Sequence, residues 1–386
     1  MRAIVFRHPT GALLIICLLI WTSAARLTLI PVRAVASVAG AKGSYSGAAE
    51  DREIAARFAP IFYQAVGPQR RHDYITNFDF DGDWRGDNNW ADVEKRRFPL
   101  RAYIYYGVSE TTTHFFIHYA VFHPRDYKGG SRGTLLSELL SEGAKRGGAR
   151  LDPTGMAEDA AFAHENDMEG CLVVVAKNGA DPARASVSYV ETLAHNRFLK
   201  YVPDGSSVTG YEPVALEDQR PLLYIEPKGH GIKSYETNKK ASDRRDILVY
   251  KFTGKAGDPD NQSEQTIGYE LLPIFETLWP RARSGVNETY GASYDYTSMS
   301  VSVAQKTGPA VSRQINLGVL GAAFSGRVGA KNMARPPWGW FDRNERDELT
   351  GGWFFDPAQT IKRHFNPPEG FSVAYTHAPF LGLFRQ

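Results

Sequence analysis

The stretch Arg101 to His123, RAYIYYGVSETTTHFFIHYAVFH, decides the fold class. Arg101–Val108 (RAYIYYGV) and His114–His123 (HFFIHYAVFH) are rich in aromatic and β-branched side chains, with polar Thr111–Thr113 between them. Such side chains fill the surface of a pleated sheet, so the two runs predict a β-hairpin.

Working outward, Cys171–Ala176 (CLVVVA), Ala185–Thr192, Leu222–Glu226 (LLYIE) and Asp246–Phe252 predict further short strands. Upstream, Ile54, Phe58, Ile61 and Phe62 share a helical stripe within Glu53–Tyr63, and Pro60 ends that helix near Phe58. A Gly-rich stretch, Lys128–Ala149, encloses a short amphipathic helix at Leu135–Leu140 and is expected to form an insertion spanning residues 128–160. Ser312–Met333 is Gly-rich, weakly apolar and gives no assignment. The tail carries Trp338, Trp340, Phe341, Trp353, Phe354 and Phe355, expected to finish the core more than to offer a sugar or lipid platform. The pattern is mainly β, an antiparallel β-sandwich with helical and Gly-rich insertions. It forms one domain at 51–386 after a linker at 37–50.

The first 36 residues read as a targeting segment. Arg2, Arg7 and His8 precede an apolar core, Leu13–Trp21, with small residues behind it. Two readings stay open: a cleaved signal peptide, or an uncleaved N-terminal anchor prolonged by Leu27–Val32. Either places the rest outside the cytoplasm, secreted or periplasmic, and membrane-anchored if the leader stays. Beyond the leader Cys171 is the sole cysteine, which excludes a disulfide framework. The net charge of +2, with no basic run interleaved with aromatics, gives no support for a nucleic-acid partner. No protein partner is evident.

Chemistry concentrates in Ala163–Ala176, AHENDMEGCLVVVA. If the chain is extended from Asp167 onward, Asp167 and Glu169 project to one face, and His164 can swing round from a preceding loop. Two carboxylates so placed repel each other unless a cation lies between them. Carboxylate oxygens with one imidazole suit a divalent ion such as Mg²⁺, Mn²⁺ or Ca²⁺. The alternative is an acidic, solvated loop whose His caps a turn.

His164-Glu165-Asn166-Asp167-Met168-Glu169 resembles the His-Arg-His-Asp-Trp-Glu core of the necrosis- and ethylene-inducing (NPP1-type) secreted proteins. It is also similar to the Gly-Asp-Trp-Glu segment of the Vps62-like family. Tyr119 to Asp126 (YAVFHPRD) resembles the strand approaching that core in the first family. The resemblance implies a divalent ion held by Asp126, His164, Asp167 and Glu169. It also implies binding of a lipid head group or glycan at a membrane. Asn166 stands where that family has its second His, and Met168 where it has Trp. Arg220 to Gly231 is similar to an Arg-Pro strand ending in Gly-Ser-His in Vps62-like proteins, and Ala194-His195 echoes a further step.

His230, between Gly229 and Gly231, has backbone room for a ligand's approach. It could add an imidazole to the site or act as a general base; the plainer reading is a turn His in water. His118, in a strongly apolar strand, is expected to be a hydrogen-bonded core residue. In Asn77–Trp90, Asn77, Asp79, Asp81 and Gly82 match the first half of an EF-hand loop. Position twelve is Asn88 instead of Glu, so a turn-rich loop is preferred to a calcium loop through Asp79, Asp81 and Asp83. No G-x-S-x-G, H-E-x-x-H or paired C-x-x-C occurs.

Three functions follow as expectations. One is an exported, cation-dependent binder of a polar head group or sugar. The second is a metal-dependent hydrolase with His230 or Glu165 as general base. The third is a non-catalytic surface protein braced by a structural cation.

Overall fold

The structure, a computed structural model, describes residues 47–126, 163–179, 184–242, 246–261, 265–283, 288–296, 298–329, 334–345 and 351–385. All belong to one compact unit, Ser37–Gln386. The leader, most of the linker and the insertion 128–160 with its helix lie outside the described residues.

The hairpin forms as its side chains predict. Strand β2, Tyr103–Thr111, pairs antiparallel with β3, His114–Asp126, which pairs with β4, His164–Ala176. Strands β5 (Ser186–Leu193) and β6 (Phe198–Pro203) extend this antiparallel run. Nearly every residue of β3 and β4 is buried. An unbroken apolar run needs cover on both faces, and β3 has it. On one side the Tyr119 hydroxyl donates to the Ala55 carbonyl of helix α1, Ala48–Arg57, at 2.6 Å. On the other, neutral His118 donates to the Trp353 carbonyl at 3.0 Å, its ring edge-on to the indole.

The remaining strands wrap this run into a large, nearly closed sheet. Strand β1 (Ile61–Val66) lies between β9 (Arg220–Ile225) and β11 (Asp246–Phe252), and β12 (Thr266–Pro273) joins β11 to β2. Beyond β9, strand β10 (Ile232–Ser234) reaches β5, where the Thr192 hydroxyl donates to the Ile232 carbonyl at 2.6 Å. The fold is mainly β, and the sheet is mixed: β1–β9, β11–β12 and β12–β2 are parallel.

Three local expectations shift. The first helix starts at Ala48, inside the expected linker, and ends at Arg57; Ile61 and Phe62 belong to β1. Pro60 and the β-forming run behind it win over the helical stripe. The segment Ser312–Met333 supplies β15 (Val311–Ile315) and β16 (Val319–Phe324). His164 lies within β4 and not in a loop before it. The tail residues Trp338, Trp340, Trp353, Phe354 and Phe355 are buried; each such side chain stabilises by about 1.5–3 kcal/mol.

Candidate functional site: a buried carboxylate and imidazole cavity

The acidic segment enters the sheet as the first half of β4, paired with the end of β3: Asp126 opposite His164, His123 opposite Asp167, Val121 opposite Glu169. In an unbroken strand His164 would point away from Asp167 and Glu169. Asn166 interrupts the alternation with φ 62°, a left-handed conformation that Asn tolerates better than most residues. Its fully buried side chain fixes that kink. Nδ2 donates to the carbonyls of Gly86 (2.6 Å) and Ser325 (2.7 Å), and Oδ1 accepts from Asn89 (2.7 Å).

Asp126, His164, Asp167 and Glu169 then line one cavity of about 30 Å³, with His195, Arg335 and Trp340 among its other walls. That volume exceeds the roughly 10–15 Å³ needed for one water, so an ion with little else fits. His164 Nε2 is 3.4 Å from Asp126 Oδ2. Glu169 Oε1 accepts the His195 backbone N–H at 3.2 Å, while buried Oε2 has no hydrogen-bond partner among the described residues. Burial first, then the charges of Asp167 and Asp126, push the Glu169 carboxyl well above the usual range.

His230 occupies a place the spacing did not reveal. It is wholly buried, with Nδ1 2.7 Å from Asp167 Oδ2 and Nε2 3.1 Å from Asp73 Oδ1. Burial alone would lower its pKa, but hydrogen bonds and charge from the two carboxylates outweigh that and push it up to about 10. His230 is therefore an imidazolium donating at both nitrogens, a cation built into the chain beside the cavity. The ring of His123 stacks on it at 3.7 Å and stays neutral, held well below its ordinary value by burial and the His230 charge. His123 Nε2–H donates to Gln64 Oε1 at 3.0 Å. Asp73 also accepts the N–H groups of Gly67 (2.6 Å) and Lys228 (2.7 Å). Asp73 follows Arg70-Arg71-His72 with no pattern to mark it, so sequence reading misses it; His123 was visible two residues before Arg125 but unmarked.

The other candidates have structural partners. Glu165 points to the opposite side, where it accepts N–H groups from Trp90 (2.6 Å), Arg327 (2.6 Å) and Val328 (3.4 Å). Burial raises its pKa against those three bonds. His195 sits at a two-residue turn between β5 and β6 and contacts Glu226 Oε2 at 3.0 Å. In the Asp-rich loop the side chains serve neighbouring groups: Asp81 accepts from Asp83 N–H (3.2 Å), Asp83 from Arg85 N–H (2.8 Å) and Asn88 (3.1 Å). This is the turn-rich arrangement expected of Asp and Asn.

Among the described residues no three His, Cys, Asp or Glu groups stand arranged to hold a metal ion as they are. One oxygen of Asp167, Oδ2, is engaged by His230 at 2.7 Å. The cavity nevertheless gathers three carboxylates and one imidazole, the chemical kind of donor that hard divalent ions take, and one buried oxygen of Glu169 has no hydrogen-bond partner among the described residues.

No protein-family model matches this sequence, and no curated protein does. Among solved structures, the chain is similar to NLPPya in complex with mannosamine, at 14% identity over 64% of this chain and 84% of that one, TM-score 0.27. It is similar to Necrosis and Ethylene inducing Protein 2 from the agent of cocoa's Witches Broom disease, at 13% identity over 63% and 81%, TM-score 0.26. The non-toxic HaNLP3 protein gives 12% identity over 48% and 66%, TM-score 0.26. Structural neighbours of this chain are thus necrosis- and ethylene-inducing proteins, and the Vps62-like half of the resemblance finds no support among them.

Proposed function

We propose that this is an exported protein that binds a polar head group or sugar with the help of a divalent cation. Asp126, His164, Asp167 and Glu169 would hold that cation. One observation carries the reading: those four side chains, drawn from two strands and brought into phase by Asn166, line a single ion-sized cavity. The ion would offset carboxylate charge that burial otherwise makes costly, and would leave a positive spot for an oxygen of the ligand. Hydrolysis is the less favoured use. Both nitrogens of His230 are engaged by carboxylates and both oxygens of Glu165 by backbone N–H groups, so neither is poised as a general base.

Isothermal titration of the full chain with Mg²⁺, Mn²⁺ and Ca²⁺ tests the site. Wild type is expected to bind at least one ion, and Glu169→Gln to weaken it about 10-fold or more, the scale of one lost charge-assisted contact. Equal binding by both proteins removes the cavity as the site. Flotation with vesicles carrying glycosylated sphingolipids tests the ligand class. Partitioning that depends on the cation and fails for Glu169→Gln supports it; none at any cation level sinks the head-group arm.

A further inference from the structure

A second and much larger depression, about 660 Å³, flanks strand β6 on the far side of the β5–β6 turn. Its walls include Lys200 from β6, Tyr211 and Glu212 ahead of and within β7 (Glu212–Val214), Lys233 of β10, and Asp342, Asn344 and Glu345. The volume falls in the roughly 300–1,000 Å³ range of small-molecule sites, whereas the cavity at Glu169, about 30 Å³, has no room for a sugar ring. The two are neighbours. The turn residues His195 and Asn196 line the small cavity, and the same turn is zipped to the groove wall through Arg343 N–H to the Asn196 carbonyl at 2.9 Å.

The groove's polar groups are rigidly held. Asp342 accepts the N–H groups of Phe198 (2.8 Å) and Asn344 (2.7 Å). Glu345 is clamped by Lys200 Nζ at 3.0 Å and His364 Nε2 at 2.7 Å, and His364 Nδ1 lies 2.5 Å from fully buried Glu191. Tyr211 is half-buried, with its hydroxyl pinned to the His364 carbonyl at 3.0 Å. Both lysines are matched, Lys200 by Glu345 and Lys233 by Glu226 at 2.5 Å. A groove whose cations are matched gives a phosphate or carboxylate ligand no net attraction. Fixed acceptors beside fixed ammonium donors instead suit hydroxyl groups, each of which gives one hydrogen bond and takes others. Holding those partners in place beforehand reduces the ordering cost of binding.

We infer that this groove binds a neutral oligosaccharide of two or more sugar rings, lying beside Tyr211 with its hydroxyls on Glu345, Asp342 and the paired lysines. The ligand class rests on the sugar reading proposed above, while the groove stands apart from the cation cavity. The groove then selects the glycan, and the cavity engages a single group of the same ligand.

Titration of the full chain with cellobiose, maltose, lactose and N,N′-diacetylchitobiose, followed by calorimetry and saturation-transfer NMR, tests it. At least one disaccharide is expected to bind. Tyr211→Ala should weaken that binding 10-fold or more, and Glu212→Trp, at an exposed position away from the buried network, should block it by filling the groove. Circular dichroism checks that each variant is folded, and Glu212→Trp decides the matter if Tyr211→Ala is not. Binding unchanged by Glu212→Trp, or no disaccharide binding at all, overturns the groove. The cation titration of wild type against Glu169→Gln fails or succeeds independently of these outcomes.

Discussion

His364, buried, and Asp81, half-buried, show how single ionisable groups contribute to the pH dependence of stability. At His364 burial opposes the charge, but the Glu191 hydrogen bond and charge prevail, so its pKa is raised above 6.5. The stability it contributes is full below that ordinary value and is lost as pH climbs through the raised one. His364→Gln leaves Glu191 buried without its cation. Urea unfolding should show a loss of about 3–5 kcal/mol at pH 6 and a smaller gap at pH 9. Asp81 has the opposite chemistry with the same sign. Burial, with Asp83 and Asp92 nearby, raises its pKa from 3.8 to about 7. Its ionisation therefore weakens the fold progressively as pH rises from about 4 to 7. Asp81→Asn should melt above wild type at pH 8 and alongside it at pH 4; a variant less stable at pH 8 contradicts this account of the loop.

Strand β4 and the β5–β6 turn carry the site as elements. Gly170, next to Glu169, is a position of close approach: an added Cβ would meet the Trp340 ring at 2.3 Å and the Tyr119 carbonyl at 2.6 Å. The indole also donates to the Met168 carbonyl at 3.0 Å, so Trp340 is seated against the strand. Gly170→Ala should cost about 1–3 kcal/mol in denaturant unfolding, as overpacking does, and a neutral result removes the claim of contact. The turn has His195 and Asn196 both in left-handed conformation, φ 54° and 56°, with Ala194 and Arg197 exchanging backbone hydrogen bonds at 3.0 and 3.1 Å. That pair of positive φ values matches the right-handed twist of a tight hairpin. Asn196→Val, β-branched and intolerant of that conformation, should lower stability by about 1–2 kcal/mol and loosen the walls of both cavities.

Across the whole molecule the two ends of the described chain are tied together beneath the sheet. Arg385 reaches Asp51 of α1 at 2.5 Å and Glu110 of β2 at 2.6 Å. Asp51 is fully buried and also meets His377 Nε2 at 3.0 Å. The tail thus covers one face of the central strands with indole rings and then closes on the first helix. Arg385→Ala leaves the buried Asp51 carboxylate without its guanidinium partner. A loss of about 3–5 kcal/mol in global unfolding is expected, reported equally by tryptophan fluorescence and far-ultraviolet circular dichroism. A change confined to the tail would mean that the clamp is peripheral.

The sequence by itself determined the β class, the hairpin, four further strands and the burial of most of the aromatic tail. Each follows from local side-chain chemistry: runs such as HFFIHYAVFH have no low-energy home outside a sheet covered on both faces. It also marked Asp167 and Glu169, since period two needs only neighbours in the chain. Tertiary structure alone decided the rest. Asn166 had to be fixed by Gly86, Asn89 and Ser325 before His164 could join the other two, and those partners lie far away in sequence. His230 became an internal cation because Asp73, 157 residues away, meets it on the side opposite Asp167. Local spacing cannot encode such a charge, because it arises only where elements distant in the chain bring carboxylates to one buried ring.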